Sequence, residues 1–211
     1  MRTLICIFAI IAMFSCQRPA FKEKWVKQAA PENFSARFET SGGSFEAAFT
    51  REWSPSAVDR IFAQLKHGYY NHTLFYRVKP AYVAQFGGDD SAQMKTWARY
   101  KVPDEPVLKP NERGTISFAR SGKETRDNDL FINLQNNSPR LDTITYLGVK
   151  GFPVVGVVTK GMDVVDALYN GYGDTVFEKY DLLFQDKKTF TDKFPKLDSI
   201  KRVKLLPKRN K

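Results

Sequence analysis

Gly68-Tyr69-Tyr70-Asn71-His72-Thr73-Leu74-Phe75-Tyr76-Arg77-Val78-Lys79-Pro80-Ala81-Tyr82-Val83-Ala84-Gln85-Phe86-Gly87-Gly88-Asp89 is the stretch of this 211-residue chain on which the fold turns. Leu74 to Val78 and Tyr82 to Phe86 are rich in aromatic and β-branched residues, as strands are, and Pro80 between them marks a connection. Gly87-Gly88-Asp89-Asp90 ends the second run. Arg77 stands between Tyr76 and Val78 in an otherwise apolar strand. A charge in such a place usually serves pairing or function, because desolvating it alone is costly.

The same texture extends in both directions. Phe34, Ala36 and Phe38 alternate with Ser35, Arg37 and Glu39, which predicts a half-buried strand. Ser41-Gly42-Gly43-Ser44 is a turn, and Phe45 to Phe49 completes a hairpin. Ser54 as N-cap and Pro55 at the first helical position open a helix whose Val58, Ile61, Phe62 and Leu65 share one face. Beyond Asp89 a polar segment runs from Ser91 to Glu112. Further strands are predicted at 114–119, 130–134, 154–158 and 200–206. Met162, Val165, Leu168 and Tyr169 predict a second short helix between Gly161 and Gly171, and residues 174–193 read as an irregular or partly helical insert. Seven or more short strands with two helices imply a mainly β protein, a closed antiparallel barrel with capped ends.

The first residues carry an address. Residues 1–15 hold Arg2 and an apolar run from Leu4 to Phe14, a secretory signal too short to span a bilayer comfortably. Met13-Phe14-Ser15-Cys16 resembles a bacterial lipoprotein signal, which makes Cys16 the expected lipidation site and residues 16–32 the lipidated cysteine and its tether. The expected location is the cell envelope, facing the periplasm or the exterior, on a membrane held through a lipid anchor. Residues 33–207 form the predicted domain and 208–211 a basic tail. The net charge of +10 comes without any finger, basic-zipper or RNA-binding pattern, so nucleic acid is not an expected partner. His67 and His72 give no convincing metal site.

Several motifs stand in one order. Gly68-Tyr69-Tyr70, Phe75-Tyr76-Arg77-Val78, Gln85-Phe86-Gly87-Gly88-Asp89, Gly114 to Ala119, Leu130-Phe131-Ile132-Asn133, Arg140-Leu141-Asp142, Gly156-Val157-Val158 and Gly161 to Val165 follow one another. Together they resemble the cyclophilin-type peptidyl-prolyl isomerases over about residues 33–206. The resemblance implies an eight-stranded antiparallel β-barrel closed by two α-helices, acting as a monomer without cofactor or metal on proline-containing polypeptides. It implies Arg77, Gln85 and Phe131 as catalytic residues. Tyr82, Val83 and Leu141 would wall the proline pocket, and Ala119-Arg120 would pair with the substrate backbone. Gln85 would bind the peptide backbone and help position Arg77.

One departure falls near the site: Asp129 stands where the family usually has Gln. Its carboxylate either pairs with Arg77 or Arg126 and weakens the field at the prolyl nitrogen, or selects substrates carrying a cation near the proline. Two readings of function follow. One is an isomerase assisting the folding of exported or envelope proteins. The other is a peptide-binding or chaperone module with weak or no catalysis.

Overall fold

The computed structural model describes residues 19–88 and 91–208. Eight strands close into an antiparallel barrel: β1 (Asn33–Thr40), β2 (Ser44–Thr50), β3 (Thr73–Lys79), β4 (Val83–Gly88), β5 (Thr115–Phe118), β6 (Leu130–Asn133), β9 (Val154–Lys160) and β10 (Ser199–Leu205). Their order around the barrel is β1-β10-β3-β4-β6-β5-β9-β2, and β2 pairs back onto β1. A two-residue pair, β7 (Thr145–Tyr146) and β8 (Val149–Lys150), lies outside it. Closure leaves the barrel strands themselves without an open edge. All eight predicted strands form.

Alternation sends one set of side chains inward. Phe38 and Phe45 are directly opposed in register, and their rings stack with centroids 4.6 Å apart. Phe49, Phe75, Phe86, Ile116, Phe118, Leu130 and Ile132 complete the interior, each at most 1% exposed. Each such aromatic contributes roughly 1.5–3 kcal/mol through burial.

Helix α1 (Pro55–Lys66) buries the predicted stripe of Val58, Ile61, Phe62 and Leu65, but its polar side is buried too. Helix α2 (Ser91–Ala98), within the segment read only as polar, covers that side. Arg60 lies under the Trp97 ring at 5.6 Å and donates to the carbonyls of Trp97 and Asp127. Gln64 donates to the Asp127 carbonyl at 2.7 Å. The cap of α1 also differs from the expectation. Ser54 Oγ bonds to the Glu105 carboxylate instead of its own helix, and Glu105 Oε1 accepts the Ser56 N–H at 2.8 Å. A carboxylate from a distant loop thus satisfies a free amide of the first turn.

The second predicted helix is shorter than its apolar spacing suggests. Helix α4 (Met162–Asp166) ends before Leu168, which still reaches the core from the following turn. A further short helix, α3 (Arg140–Thr143), precedes β7. The insert folds as α5 (Thr175–Glu178), α6 (Tyr180–Gln185) and α7 (Lys187–Lys193), with its own small core. Val176, Leu183, Phe190 and Phe194 pack there on Leu74 and Tyr76 of β3. The segment read as a tether is also packed in its later part. Phe21, Trp25 and Ala30 join the core, and Trp25 stacks on His67 at 3.7 Å. The signal, Cys16 and residues 209–211 lie outside the described residues.

Candidate active site

Strand β3 contains an irregularity that decides where Arg77 points. Phe75 pairs with Phe86, yet Arg77 pairs with the next residue, Gln85, so Tyr76 is an extra residue on its strand. In an unbroken strand Arg77 would share the face of Phe75, which lies in the barrel interior. The bulge turns Arg77 outward, as bulges beside active sites commonly do.

From Arg77 the register runs straight across the outer face. Arg77 opposes Gln85, Gln85 opposes Phe131, and Phe131 opposes Ser117. Arg77 and Phe131 therefore flank Gln85 two strand spacings apart, roughly 10 Å at the backbone. Phe131 is 5% exposed and forms an apolar cluster outside the barrel with Val83 and Leu141. Tyr82, Ala119, Ile144 and Phe152 pack on it, and Phe152 meets Phe131 edge to face at 5.7 Å. Tyr82 joins the two parts of the site, because the Arg77 guanidinium lies 5.9 Å from its ring centroid. The structure thus brings Arg77, Gln85, Phe131, Tyr82, Val83, Leu141 and Ala119 to one face.

Arg120 plays a different part with its side chain. Its guanidinium is turned into the protein, donating to the carbonyls of Gly151 and Val149 and lying 4.3 Å from the Phe152 ring centroid. It fastens the pocket wall from behind, and β5 has ended at Phe118, which leaves Ala119 and Arg120 outside the strand. Asp129 pairs with neither Arg77 nor Arg126. Its Oδ1 accepts the Tyr180 hydroxyl at 3.0 Å, under the insert and beside Tyr76. Asp129 lies just before β6, two residues from Phe131; Gly88 lets the insert close over it, and Gly87 lets β4 pass close to its backbone. A Cβ on Gly88 would meet the Tyr180 hydroxyl at 2.7 Å, and one on Gly87 the Asp129 Cα at 3.0 Å. Burial pushes the Asp129 carboxyl up to about 7, partly offset by the Tyr180 hydrogen bond. Arg126 is instead fixed by Glu105 at 3.0 Å.

Two sets of residues escaped the sequence reading. Asn111, Asn133 and Asn137 are buried and pin the pocket wall. Asn111 Nδ2 donates to Asp142 Oδ1 at 2.8 Å and to the Phe152 carbonyl at 2.9 Å. Asn137 Nδ2 donates to the carbonyl of Tyr82 at 2.9 Å and to Asn133 Oδ1 at 2.6 Å. Buried amides that satisfy one another make a rigid frame. The second is Asp174, at the head of the insert. Its Oδ1 accepts Arg77 Nε and its Oδ2 accepts Lys79 Nζ, both at 2.9 Å. These two cations hold the Asp174 carboxyl below its ordinary value. Phe177 follows one turn later, with the Arg77 guanidinium 4.9 Å from its ring centroid. Gln85, expected to position Arg77, makes no hydrogen bond to it in this structure; Asp174 does.

Comparison with known proteins agrees with this geometry. The model of the cyclophilin type peptidyl-prolyl cis-trans isomerase family matches residues 35–189. Peptidyl-prolyl cis-trans isomerase A of Dickeya dadantii is 33% identical over 172 residues, which cover 79% of this chain and 83% of that protein. A peptidyl-prolyl cis-trans isomerase of Acinetobacter baylyi is 29% identical over 144 residues, 65% of this chain and 73% of that one. Among solved structures, a Cryptosporidium parvum cyclophilin type isomerase superposes with a TM-score of 0.55 at 18% identity, covering 83% of this chain and 99% of its own, a likeness of fold. From the family match over most of the barrel and a relative at this identity and coverage, the chain belongs to the cyclophilin-type peptidyl-prolyl cis-trans isomerases.

Proposed function

We propose that the chain accelerates X-Pro isomerisation in exported or envelope polypeptides, with the proline ring seated on Phe131 and Arg77 acting on the prolyl nitrogen. The observation that carries this reading is the continuous row Arg77, Gln85, Phe131 on one outer face.

The barrier to rotation, roughly 18–20 kcal/mol, comes from amide resonance. As the bond twists, conjugation is lost and the nitrogen becomes pyramidal and basic. A donor fixed there stabilises the twisted state more than either planar one, which is what lowers a barrier. Arg is suited to the task because it stays charged and presents several donors in a rigid plane. The apolar cluster of Phe131, Val83 and Leu141 offers the ring a seat. The Arg120 main chain enters no hydrogen bond among the described residues and lies beside that seat, as an extended substrate would need. The solved structure of the Cryptosporidium protein obtained in the presence of the dipeptide Ala-Pro concerns the same fold. Asp129 was the residue favouring a non-catalytic module. Its carboxylate engages Tyr180 and not Arg77, which removes that ground.

The envelope assignment rests on the leader and on Cys16. No helix among the described residues is long and apolar enough to cross a membrane. Two lipid chains, contributing about 0.8 kcal/mol per buried CH₂, would hold such a protein stably. Exchange spectroscopy on an Ala-Pro peptide tests the activity, and catalysed exchange at substoichiometric protein is expected. Membrane fractionation of the full chain against Cys16→Ala tests the address. Equal partition of the two proteins would contradict the anchor.

A further inference from the structure

We propose that Asp174 is a positioning residue for the isomerase reaction, an anchor carried by the insert that holds the Arg77 guanidinium by its Nε edge and leaves its two terminal nitrogens for the substrate. This rests on the reading of Arg77 as the catalytic cation.

The geometry distinguishes anchoring from blocking. A carboxylate that disabled the guanidinium would be expected to take it end-on through both terminal nitrogens, or through one terminal nitrogen and Nε together, as in bidentate pairs. Here Asp174 Oδ1 takes Nε alone, at 2.9 Å, and Oδ2 is spent on Lys79. Neither terminal nitrogen of Arg77 has a hydrogen-bond partner among the described residues. The plane is then bounded by two aromatic rings. Phe177 lies 4.9 Å away on the insert side, and Tyr82 lies 5.9 Å away on the side of the Phe131 cluster. One hydrogen bond and two rings restrict a side chain that is otherwise rich in rotamers.

The insert is built to supply this contact. Its core of Val176, Leu183, Phe190 and Phe194 seats it on Leu74 and Tyr76 of β3. Tyr76 is the bulged residue next to Arg77. The bulge therefore turns Arg77 outward and gives the insert a footing. Lys79 offsets part of the charge that Asp174 brings, so the anchor does not fully cancel the field of Arg77.

The test combines two Asp174 variants, a cycle with Arg77, and one spectroscopic signature. Asp174 is 41% exposed, and thermal unfolding serves as the control for folding. Asp174→Ala removes the acceptor and is expected to lower kcat/KM roughly tenfold, mainly through kcat, as displaced catalytic groups do. Asp174→Asn keeps an acceptor oxygen without the charge and is expected to retain at least half of the activity. In an Arg77→Ala background, Asp174→Ala should have no further effect. In the wild-type chain, the Arg77 Nε–H should be slow to exchange with solvent and fast in Asp174→Ala. Wild-type or higher activity in Asp174→Ala would overturn the proposal, because the contact would then be idle or inhibitory. So would equal losses in Ala and Asn, which would assign the effect to charge, and so would a rapidly exchanging Nε–H in the wild type. If Arg77→Ala itself were fully active, the reading of Arg77 would fail first, and the Nε–H measurement would still judge the pairing.

Discussion

Replacing Asp129 by Asn should stabilise the protein, and more so as the pH rises. The carboxyl sits under the insert with Tyr180 donating to it at 3.0 Å and the buried Tyr76 hydroxyl beside it. Burial is the main cause that lifts it from its ordinary 3.8 to about 7. Burial and Asp129 also push the Tyr180 hydroxyl well up, so it stays a donor throughout. The sign follows from proton counting. Between pH 4 and 7 the folded protein keeps a proton that the unfolded chain has released, so raising the pH favours unfolding. Stability linked to this group is complete below the unfolded value and is lost by the time the pH passes the folded one. Three units correspond to an upper limit of about 4 kcal/mol by linkage. Movement of the Tyr180 hydroxyl toward the anion reduces this, and about 1–3 kcal/mol is expected at pH 8. Asn cannot ionise, its oxygen still accepts from Tyr180, and its amide can donate to Tyr76. Urea unfolding of both proteins at pH 4.5, 6 and 8 measures the difference. The stability gap should widen steadily with pH. A constant gap, or one that narrows, would refute the assignment of a buried carboxyl whose charge is only partly compensated.

Three further outcomes follow from the packing. Glu105→Ala removes the acceptor shared by Ser54, the Ser56 N–H and the almost fully buried Arg126, and should cost about 2–4 kcal/mol in chemical unfolding. Burial opposes the charge of Glu105, but those hydrogen bonds and Arg126 outweigh it and hold the carboxyl below 4.5. In the wild type its contribution is present above that value and should fade as the pH falls through the lower folded value. Phe131→Ala should raise KM for a proline peptide and lower kcat/KM at least about tenfold, and because the ring is 5% exposed and packed on Val83, Leu141 and Phe152 it should also cost about 3–5 kcal/mol in chemical unfolding. Asn137→Ala leaves the Tyr82 carbonyl and Asn133 Oδ1 without their donor and should cost about 1–3 kcal/mol, with a loss of affinity larger than that of a surface substitution, read by peptide titration.

The barrel was legible because alternation is strong wherever one face is apolar. Phe34-Ala36-Phe38 against Phe45-Ala47-Phe49 specifies both strands and their register, since a slip of one residue would empty the core. The row Arg77, Gln85, Phe131 was legible only through resemblance, because a period of two places Arg77 with Phe75. The bulge at Tyr76 that corrects this leaves no composition signal. Helix α2 was hidden because its role is to cover the polar side of α1, so it needs little apolar periodicity beyond Trp97. Asp174 was invisible for a different reason. It lies about a hundred residues from Arg77 in sequence, and nothing local in Gly173-Asp174-Thr175 indicates a cation opposite. The asparagine frame carries a weak signal that could have been read, namely Asn133 at the end of an apolar strand where a polar group must find a partner.

The claim that one guanidinium lowers the rotational barrier is tested most directly by comparing wild type, Arg77→Lys and Arg77→Ala on a single Ala-Pro peptide, with the catalysed exchange rate and the peptide affinity measured by NMR on the same samples. Both variants should bind the peptide within about threefold of wild type. Arg77→Ala should lose roughly a hundredfold or more in exchange rate, the scale seen when one transition-state donor is removed. Arg77→Lys should recover only part, because a point charge lacks the planar donor set. Exchange at the wild-type rate in Arg77→Ala, with binding intact, would contradict the account.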